Sequence, residues 1–367
     1  MVLTQAGSEL HDTTGVWSSA TGYFLFTRGS DSHLSEVTDS ISNLWVTRER
    51  TGIFSRASGV PREITHGPVS FHNLEATGES NGVFALGTHP AYQLVRVHSA
   101  TGARDVVLPD AGATDVDVTP DGEWLVYSLR ENGALWKSRR NGKERQELTA
   151  ASPGAIAPQW SPDGKEVLFT AYFLSKRPQI YLVSSSGGTP RAILPDPATG
   201  SSTSADWAPD GNHILFDYFE NGKSSLRVLD RKAQKIDVIP GSEGLTQGRW
   251  SPDGNHVAAI DGARNQIVLY SFGSQQWTTL TEDANAQGMR WSADGNFVYF
   301  QKARDPEQSV YRIRIGSKQP EKVLGFATLL GSMASQCRFT GVAPDGSVYA
   351  TLDRGGTDLY SLDLSLP

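Results

Sequence analysis

Short runs in which apolar and polar residues alternate fill this chain, separated by clusters of Gly, Pro, Asn and Asp, and no long helical period interrupts them. Alternation predicts strands with one face toward a core, and the punctuation predicts tight turns. One phrase recurs between such runs: Val118-Thr-Pro-Asp-Gly122, Trp160-Ser-Pro-Asp-Gly164, Trp207-Ala-Pro-Asp-Gly211, Trp250-Ser-Pro-Asp-Gly254, Trp291-Ser-Ala-Asp-Gly295 and Val342-Ala-Pro-Asp-Gly346. Its aspartates, Asp121, Asp163, Asp210, Asp253, Asp294 and Asp345, follow one another at intervals of 41 to 51 residues. Asp-Gly between strands signals a hairpin, because Gly takes φ > 0 freely and the short Asp carboxylate bonds backbone N–H groups inside the turn. Pro just ahead ends the first strand where no ladder hydrogen bond is lost.

Two weaker copies lie upstream, Trp17-Ser-Ser-Ala-Thr-Gly22 and Glu75-Ala-Thr-Gly-Glu-Ser-Asn-Gly82. Each unit carries a third strand run, such as Leu44-Trp-Val46, Leu94-Val-Arg-Val97, Ile180-Tyr-Leu-Val183 and Leu359-Tyr-Ser-Leu362, and most carry a fourth, such as Thr279-Leu-Thr281. Four short strands at this period predict an all-β fold, a β-propeller of eight blades, each of four antiparallel strands. The blade hairpins fall near 22, 82, 122, 164, 211, 254, 295 and 346, within one domain spanning residues 1–367. Because the last unit stops after its third strand, the amino-terminal run Val2-Leu-Thr4 is expected to complete the eighth blade and close the ring without an unpaired edge. Trp160, Trp207, Trp250 and Trp291 fill the gaps between neighbouring blades.

Composition narrows the functional classes. The 367 residues are enough for a large core, and the single cysteine, Cys337, excludes an internal disulfide or a Cys-based zinc cluster. With 40 acidic against 33 basic residues and no basic run, a nucleic-acid grip is not expected. No apolar stretch is long enough for a membrane helix, and the first residues lack the basic and apolar regions of a signal peptide, so a soluble chain is expected. The compartment stays open: periplasmic if the chain belongs to a membrane-anchored regulator, cytoplasmic otherwise.

No Gly-x-Ser-x-Gly elbow, phosphate loop or dinucleotide fingerprint occurs, and the eight histidines show no metal-ligand spacing, so no catalytic group, metal or cofactor is assigned. The run Asp115-Val-Asp117-Val-Thr-Pro-Asp121 alternates as a strand does and lacks a calcium loop's closing glutamate. His213 and His256 follow Asp-Gly-Asn at the same repeat position and read as hairpin surface residues. The six repeated aspartates read as structural turn residues.

Two constellations remain. Immediately before the repeated Trp/Val position, successive units carry Asp117, Gln159, Asp206, Arg249 and Arg290. Strand alternation turns them opposite to the tryptophans, toward the central channel. Either they pair with one another as a polar lining, or Arg249 and Arg290 bind a small anionic ligand or a partner's extended segment. The second constellation is a rim of larger loops carrying Tyr172, Phe173, Tyr218, Phe219, His66 and His89. Exposed aromatics there would suit a protein or peptide partner, while the alternative is packing between blades.

The Pro-Asp-Gly blade phrase resembles that of TolB-like propellers, whose WD-like repeats occur also in prolyl-oligopeptidase-type propellers. Stations such as Leu44-Trp-Val46, Thr51-Gly-Ile-Phe-Ser55, Glu63-Ile-Thr-His-Gly-Pro68, Leu135-Trp-Lys-Ser138, Ile239-Pro-Gly-Ser-Glu-Gly-Leu245 and Thr340-Gly-Val-Ala-Pro-Asp-Gly346 resemble the C-terminal propeller region of acidobacterial winged-helix regulators and Ser/Thr kinases. That resemblance implies a non-enzymatic protein-interaction or ligand-sensing module, the regulatory part of a larger bacterial signalling or transcription regulator. Two alternatives stand beside it: an enzyme, a hydrolase or lyase, with its site at the channel mouth, or a peptidase propeller without its catalytic domain.

Overall fold

The computed structural model describes residues 10–18, 23–30, 42–48, 60–66, 69–76, 82–89, 91–109, 111–129, 133–150, 154–173, 176–194, 200–282, 284–326 and 336–363. They are almost entirely β-strand and turn, and the chain divides into two compact units, one of residues 92–353 and one of residues 1–91 with 354–367.

The larger unit is a β-propeller. Six sheets each present an innermost strand: Ala113–Val118, Gly154–Trp160, Ala205–Trp207, Leu245–Trp250, Ala286–Trp291 and Gln336–Val342. Each innermost strand touches the next in that order, and the sixth touches the first, which closes the ring. These sheets are called blades one to six. In blades one to five the strands follow outward in chain order with antiparallel pairing, as Leu245–Trp250, His256–Asp261, Gln266–Ser271 and Gln276–Thr281 do in blade four.

The core lies between blades rather than within them, since a sheet buries its faces only against its neighbours. Val116, Leu125 and Tyr127 of blade one pack on Leu94, Leu108 and Tyr349 of blade six, and Met289, Val298 and Phe300 of blade five pack on Ala258, Ile260 and Leu269 of blade four. Trp160 and Trp207 are buried in the same inter-blade layers, with Val126 and Leu168 of the preceding blades.

The repeated phrase folds as its chemistry dictates. In blade four the N–H of Gly254 donates to the Ser251 carbonyl at 2.9 Å, Asp253 accepts from the Asn255 N–H at 3.0 Å and from the Ser251 hydroxyl, and that hydroxyl accepts the His256 N–H at 2.9 Å. The glycines after all six aspartates have φ between 68° and 79°, a region closed to most side chains.

The ring differs from the one expected of the sequence in number and closure. Six of the eight units form it, and blade six is completed from within the chain: Val348–Asp353 pairs with Tyr92–Val97, which pairs with Arg104–Leu108. Leu94–Val97 is the third strand run of the unit that contains Gly82–His89, yet the two do not pair: Gly82–His89 pairs with Gly356–Asp363. A two-residue hairpin loop needs positive φ, and Pro90-Ala91, between the two runs, is a sequence that resists it. Val2–Thr4, the expected closing strand, and the hairpins near 22 and 82 lie outside the described residues.

The smaller unit holds the other two sheets. One has the strands Leu10–Ser18, Tyr23–Ser30, Asn43–Arg48 and Arg62–Glu63, and the other is Gly356–Asp363, Gly82–His89 and Ser70–Ala76. Tyr23, Leu25, Val46 and Val83 form one of its apolar clusters, and Leu44, Phe71 and Ala85 another.

Candidate functional site

The innermost strands of the ring are kinked before they reach their tryptophans. In blades two, four and five the ladder slips between Ile156 and Gln159, Thr246 and Arg249, and Gln287 and Arg290, and Ala157, Gln247 and Gly288 adopt positive φ at those points. Such bulges re-aim the side chains that follow them. The residues that follow are Gln159, Arg249 and Arg290, which share one station with Asp117 and Asp206. The sixth station belongs to Gly341, where a Cβ would meet the Val116 carbonyl at 2.6 Å.

The carboxylates at this station brace the ring. Asp117 accepts the backbone N–H of Trp160 on the next blade at 2.7 Å, and Asp206 accepts that of Trp250 at 2.7 Å. Asp115, one pleat away from Asp117 on the same face, accepts the N–H of Ala157 at 3.1 Å and faces Arg338 at 3.9 Å. Sequence reasoning passed over Asp115 as a site residue, although its two-residue offset from Asp117 was the available signal. It also missed Asp217, which is almost fully buried and accepts the N–H groups of Thr203 and Ser204 at 2.9 and 2.7 Å.

The arginines are placed differently. Arg249 and Arg290 are only 6% and 9% exposed, yet among the described residues neither has a carboxylate within ion-pair distance. Arg249 donates through Nη1 to the Ser204 hydroxyl at 2.8 Å and to the Gly248 carbonyl at 2.9 Å; Arg290 donates through Nη1 to the Met289 carbonyl at 2.9 Å. The Nε of each, and the Nε2 amide nitrogen of buried Gln159, have no hydrogen-bond partner among the described residues.

Electrostatics tie the station together. Enclosure lifts the Asp117 carboxyl to about 6, against the opposing pull of the Trp160 N–H and of Arg290. Burial likewise raises Asp206, opposed by Arg249, the Trp250 N–H and Arg290. Burial, with repulsion from Arg249, lowers Arg290 to about 10 even though Asp115, Asp117 and Asp206 favour its charge. By residue surface Asp117 and Asp206 are half-buried, more open than Arg249 and Arg290.

The residues of the second constellation divide between the two units. Tyr172 is half-buried at the end of its strand, opposite Gly154, and the side chain of Phe173 lies outside the described structure. The Tyr218 ring lies under the Arg227 guanidinium at 3.8 Å, and Phe219 beside it is half-buried. His66 and His89 belong to the smaller unit, where His66 lies 3.4 Å from Glu63 and His89 bonds Tyr360. His213 and His256 sit on equivalent hairpins, His213 bonding Asp210 at 2.6 Å. Among the described residues, no three His, Cys, Asp or Glu side chains cluster in a metal-binding arrangement.

No family model matches the chain, and no curated protein matches it. Solved structures do. The chain is similar to a putative TolB from Agrobacterium tumefaciens, with a TM-score of 0.56, 17% identity, and coverage of 75% of this chain and 99% of that one. TolB from Acinetobacter baumannii matches at a TM-score of 0.48 and 19% identity over 72% of this chain and 64% of its own. An oligogalacturonate lyase in complex with manganese matches at 0.48 and 13% over 80% and 86%. The first similarity identifies the fold as a TolB-like propeller and does not extend to function.

Proposed function

We propose that the ring is a non-enzymatic binding module whose channel takes an anionic group, a carboxylate presented by a peptide or protein partner, between Arg249 and Arg290. The observation that carries this reading is the pair of buried guanidinium groups that lack carboxylate partners and keep free Nε donors beside the free amide nitrogen of Gln159. A buried unpaired cation is costly to a fold, and an incoming carboxylate would supply charge-assisted hydrogen bonds there. Asp115, Asp117 and Asp206 favour the arginine charges from a distance, but none lies within ion-pair distance of either guanidinium, and Asp117 and Asp206 each accept a backbone N–H of the following blade. The blade-station resemblance adds a setting, the sensory part of a larger bacterial regulator.

A second reading, an enzyme at the channel mouth, draws on the Asp117 carboxyl at about 6, a range useful to a general acid or base. The anion-binding part of the first reading is tested by one experiment. Thermal unfolding is followed with succinate, inorganic phosphate and a peptide ending in a free carboxylate, on the native chain and on Arg249→Met and Arg290→Met. A binder at one hundred times its Kd stabilises by about 2.7 kcal/mol. The expected result is a saturable rise in melting temperature lost in both variants. A rise that survives both substitutions, or none with any of the three anions, overturns the reading.

A further inference from the structure

A crevice of about 380 Å³ opens between blades three and four, lined by His213, Val228 and Asp237 on one side and Trp250, Tyr270 and Phe272 on the other. Phe272 stacks on Trp250 with centroids 5.2 Å apart and planes 13° from parallel, and Tyr270 meets Phe272 edge-on at 5.2 Å. Phe272 is 37% exposed, large for a Phe in so aromatic a setting. Asp237 is the one carboxylate among the lining residues, and no lysine or arginine lines the crevice. Among the described residues its one ion pair is with Lys235, and both side chains are mostly in water, so the pair is readily exchanged.

The neighbouring blade interface shows what this geometry accommodates. Phe272 and Arg231 are structural equivalents, because the backbone N–H of each bonds the carbonyl of the Asn after the repeated Asp-Gly, Asn255 and Asn212 respectively. Between blades two and three, Arg231 lies over Trp207 at 4.9 Å and bonds Glu166 at 2.8 Å. Glu166 and His213 also hold one repeat position, each three residues beyond its repeated aspartate. One interface therefore contains a tryptophan, the chain's own guanidinium and a carboxylate. The next has the tryptophan, further aromatic rings and, at its edge, a carboxylate paired with exposed Lys235, and among the described residues no lysine or arginine lines it. Other aromatic residues at the start of second strands are likewise covered from within, Trp124 by Arg139 at 4.2 Å and Phe297 by Arg312 at 4.4 Å. Among the described residues no cation lies over Trp250, Tyr270 or Phe272.

We propose that this crevice receives an arginine side chain of a protein partner, its guanidinium over the aromatic rings and its fork on Asp237. Cation–π attraction and a planar bidentate contact favour arginine over lysine, whose ammonium is a compact, strongly hydrated charge. A purely apolar occupant would crowd the Asp237 carboxylate and offer it no hydrogen bond beyond its exposed contact with Lys235. The inference does not rest on the channel reading, since Arg249 and Arg290 take no part in it.

The test uses the full chain labelled with 5-fluorotryptophan, the Trp250 resonance being assigned with Trp250→Phe. Ac-Gly-Arg-Gly-NH2 is titrated against Ac-Gly-Lys-Gly-NH2, Ac-Gly-Gln-Gly-NH2 and Ac-Gly-Leu-Gly-NH2. The arginine tripeptide is expected to move the Trp250 resonance saturably and to bind at least fivefold more tightly than the glutamine and leucine peptides. Phe272→Ala should abolish the shift. The double variant Phe272→Arg/His213→Glu, which copies the interface of Arg231 and Glu166, should also abolish it by filling the crevice, and it covers the case in which Phe272→Ala fails to fold. Equal response to all four peptides, preference for leucine, or a shift retained in the double variant would overturn the proposal. Arg290→Met should leave the arginine response unchanged, which separates this result from that of the channel experiment.

Discussion

Asp117→Asn removes one titrating group from the propeller while keeping a side-chain oxygen able to accept the Trp160 N–H, now bonded at 2.7 Å. In the native chain the Asp117 carboxyl sits at about 6 rather than 3.8, burial being the main cause, so the fold holds its proton more tightly than the unfolded chain does. Folding is therefore favoured by protonation: the contribution is fully present below about pH 3.8 and is lost as pH rises through 6. At about 1.4 kcal/mol for each pH unit between those limits, the loss reaches up to about 3 kcal/mol, less whatever channel water screens. The assay is urea unfolding followed by tryptophan fluorescence at half-unit steps from pH 4 to 8, for the native chain and the variant. Asp206 and Asp217, also raised by burial, act in the same direction in both proteins and largely cancel in the difference. Native stability should fall relative to the variant between pH 4 and 7 and run parallel above. A difference that stays flat, or that grows in favour of the native chain with pH, would refute the electrostatic account of the channel.

Asp294→Ala removes the acceptor for the Ser292 hydroxyl and the Asn296 N–H and should cost about 1 kcal/mol near pH 7 in chemical unfolding. Those donors hold the Asp294 carboxyl down to about 2, so its contribution is present above 3.8 and the gap between variant and native chain should close as pH falls through 2. Gly341→Ala drives a Cβ to 2.6 Å from the Val116 carbonyl, where the last inner strand meets the first, and should cost about 1–3 kcal/mol by melting temperature; Gly262→Ala, whose Cβ would meet nothing within 4 Å, serves as the near-neutral control.

What was legible in the sequence is what short-range chemistry decides. The Asp-Gly turn closes its hydrogen bonds within six residues, so the hairpins at Asp163, Asp210, Asp253 and Asp294 could be read one by one. Two-residue alternation placed Asp117, Asp206, Arg249 and Arg290 opposite the tryptophans at one repeat station without any knowledge of the ring. Strand partnership beyond a hairpin is a different matter, since the run at 92–97 carries the same apolar signal whether it pairs with residues 82–89 or 348–353, and Pro90-Ala91 is the one local hint. Grouping His66 and His89 with Tyr218 rested on one ring of eight; the two histidines belong to the smaller unit and Tyr218 to the larger. The bulges at Ala157 and Gln247 were hidden because neither residue advertises positive φ.

The six residues of the channel station separate into those the ring requires and those it does not, and stability should reveal the division. Asp117 and Asp206 accept N–H groups from the next blade, and Gly341 gives room for two inner strands to meet. An arginine cannot accept an N–H, and the blade after Arg249 is tied differently, the Trp291 indole donating to the Arg249 carbonyl at 3.0 Å, a bond that any side chain at 249 preserves. Asp206→Ala should therefore orphan the half-buried Trp250 N–H and lose roughly 1.5–3 kcal/mol, the range for a hydrogen bond to a charged group. Arg249→Met gives up the hydrogen bonds to Ser204 and Gly248 but also removes a buried cation with no carboxylate partner, so its cost should fall below that of Asp206→Ala even though the lost side chain is larger. Urea midpoints for the two variants, measured side by side at pH 7, decide the matter. If Arg249→Met proves the more damaging, the arginines are structural members of the ring, and their free Nε donors lose their significance as a place for a ligand.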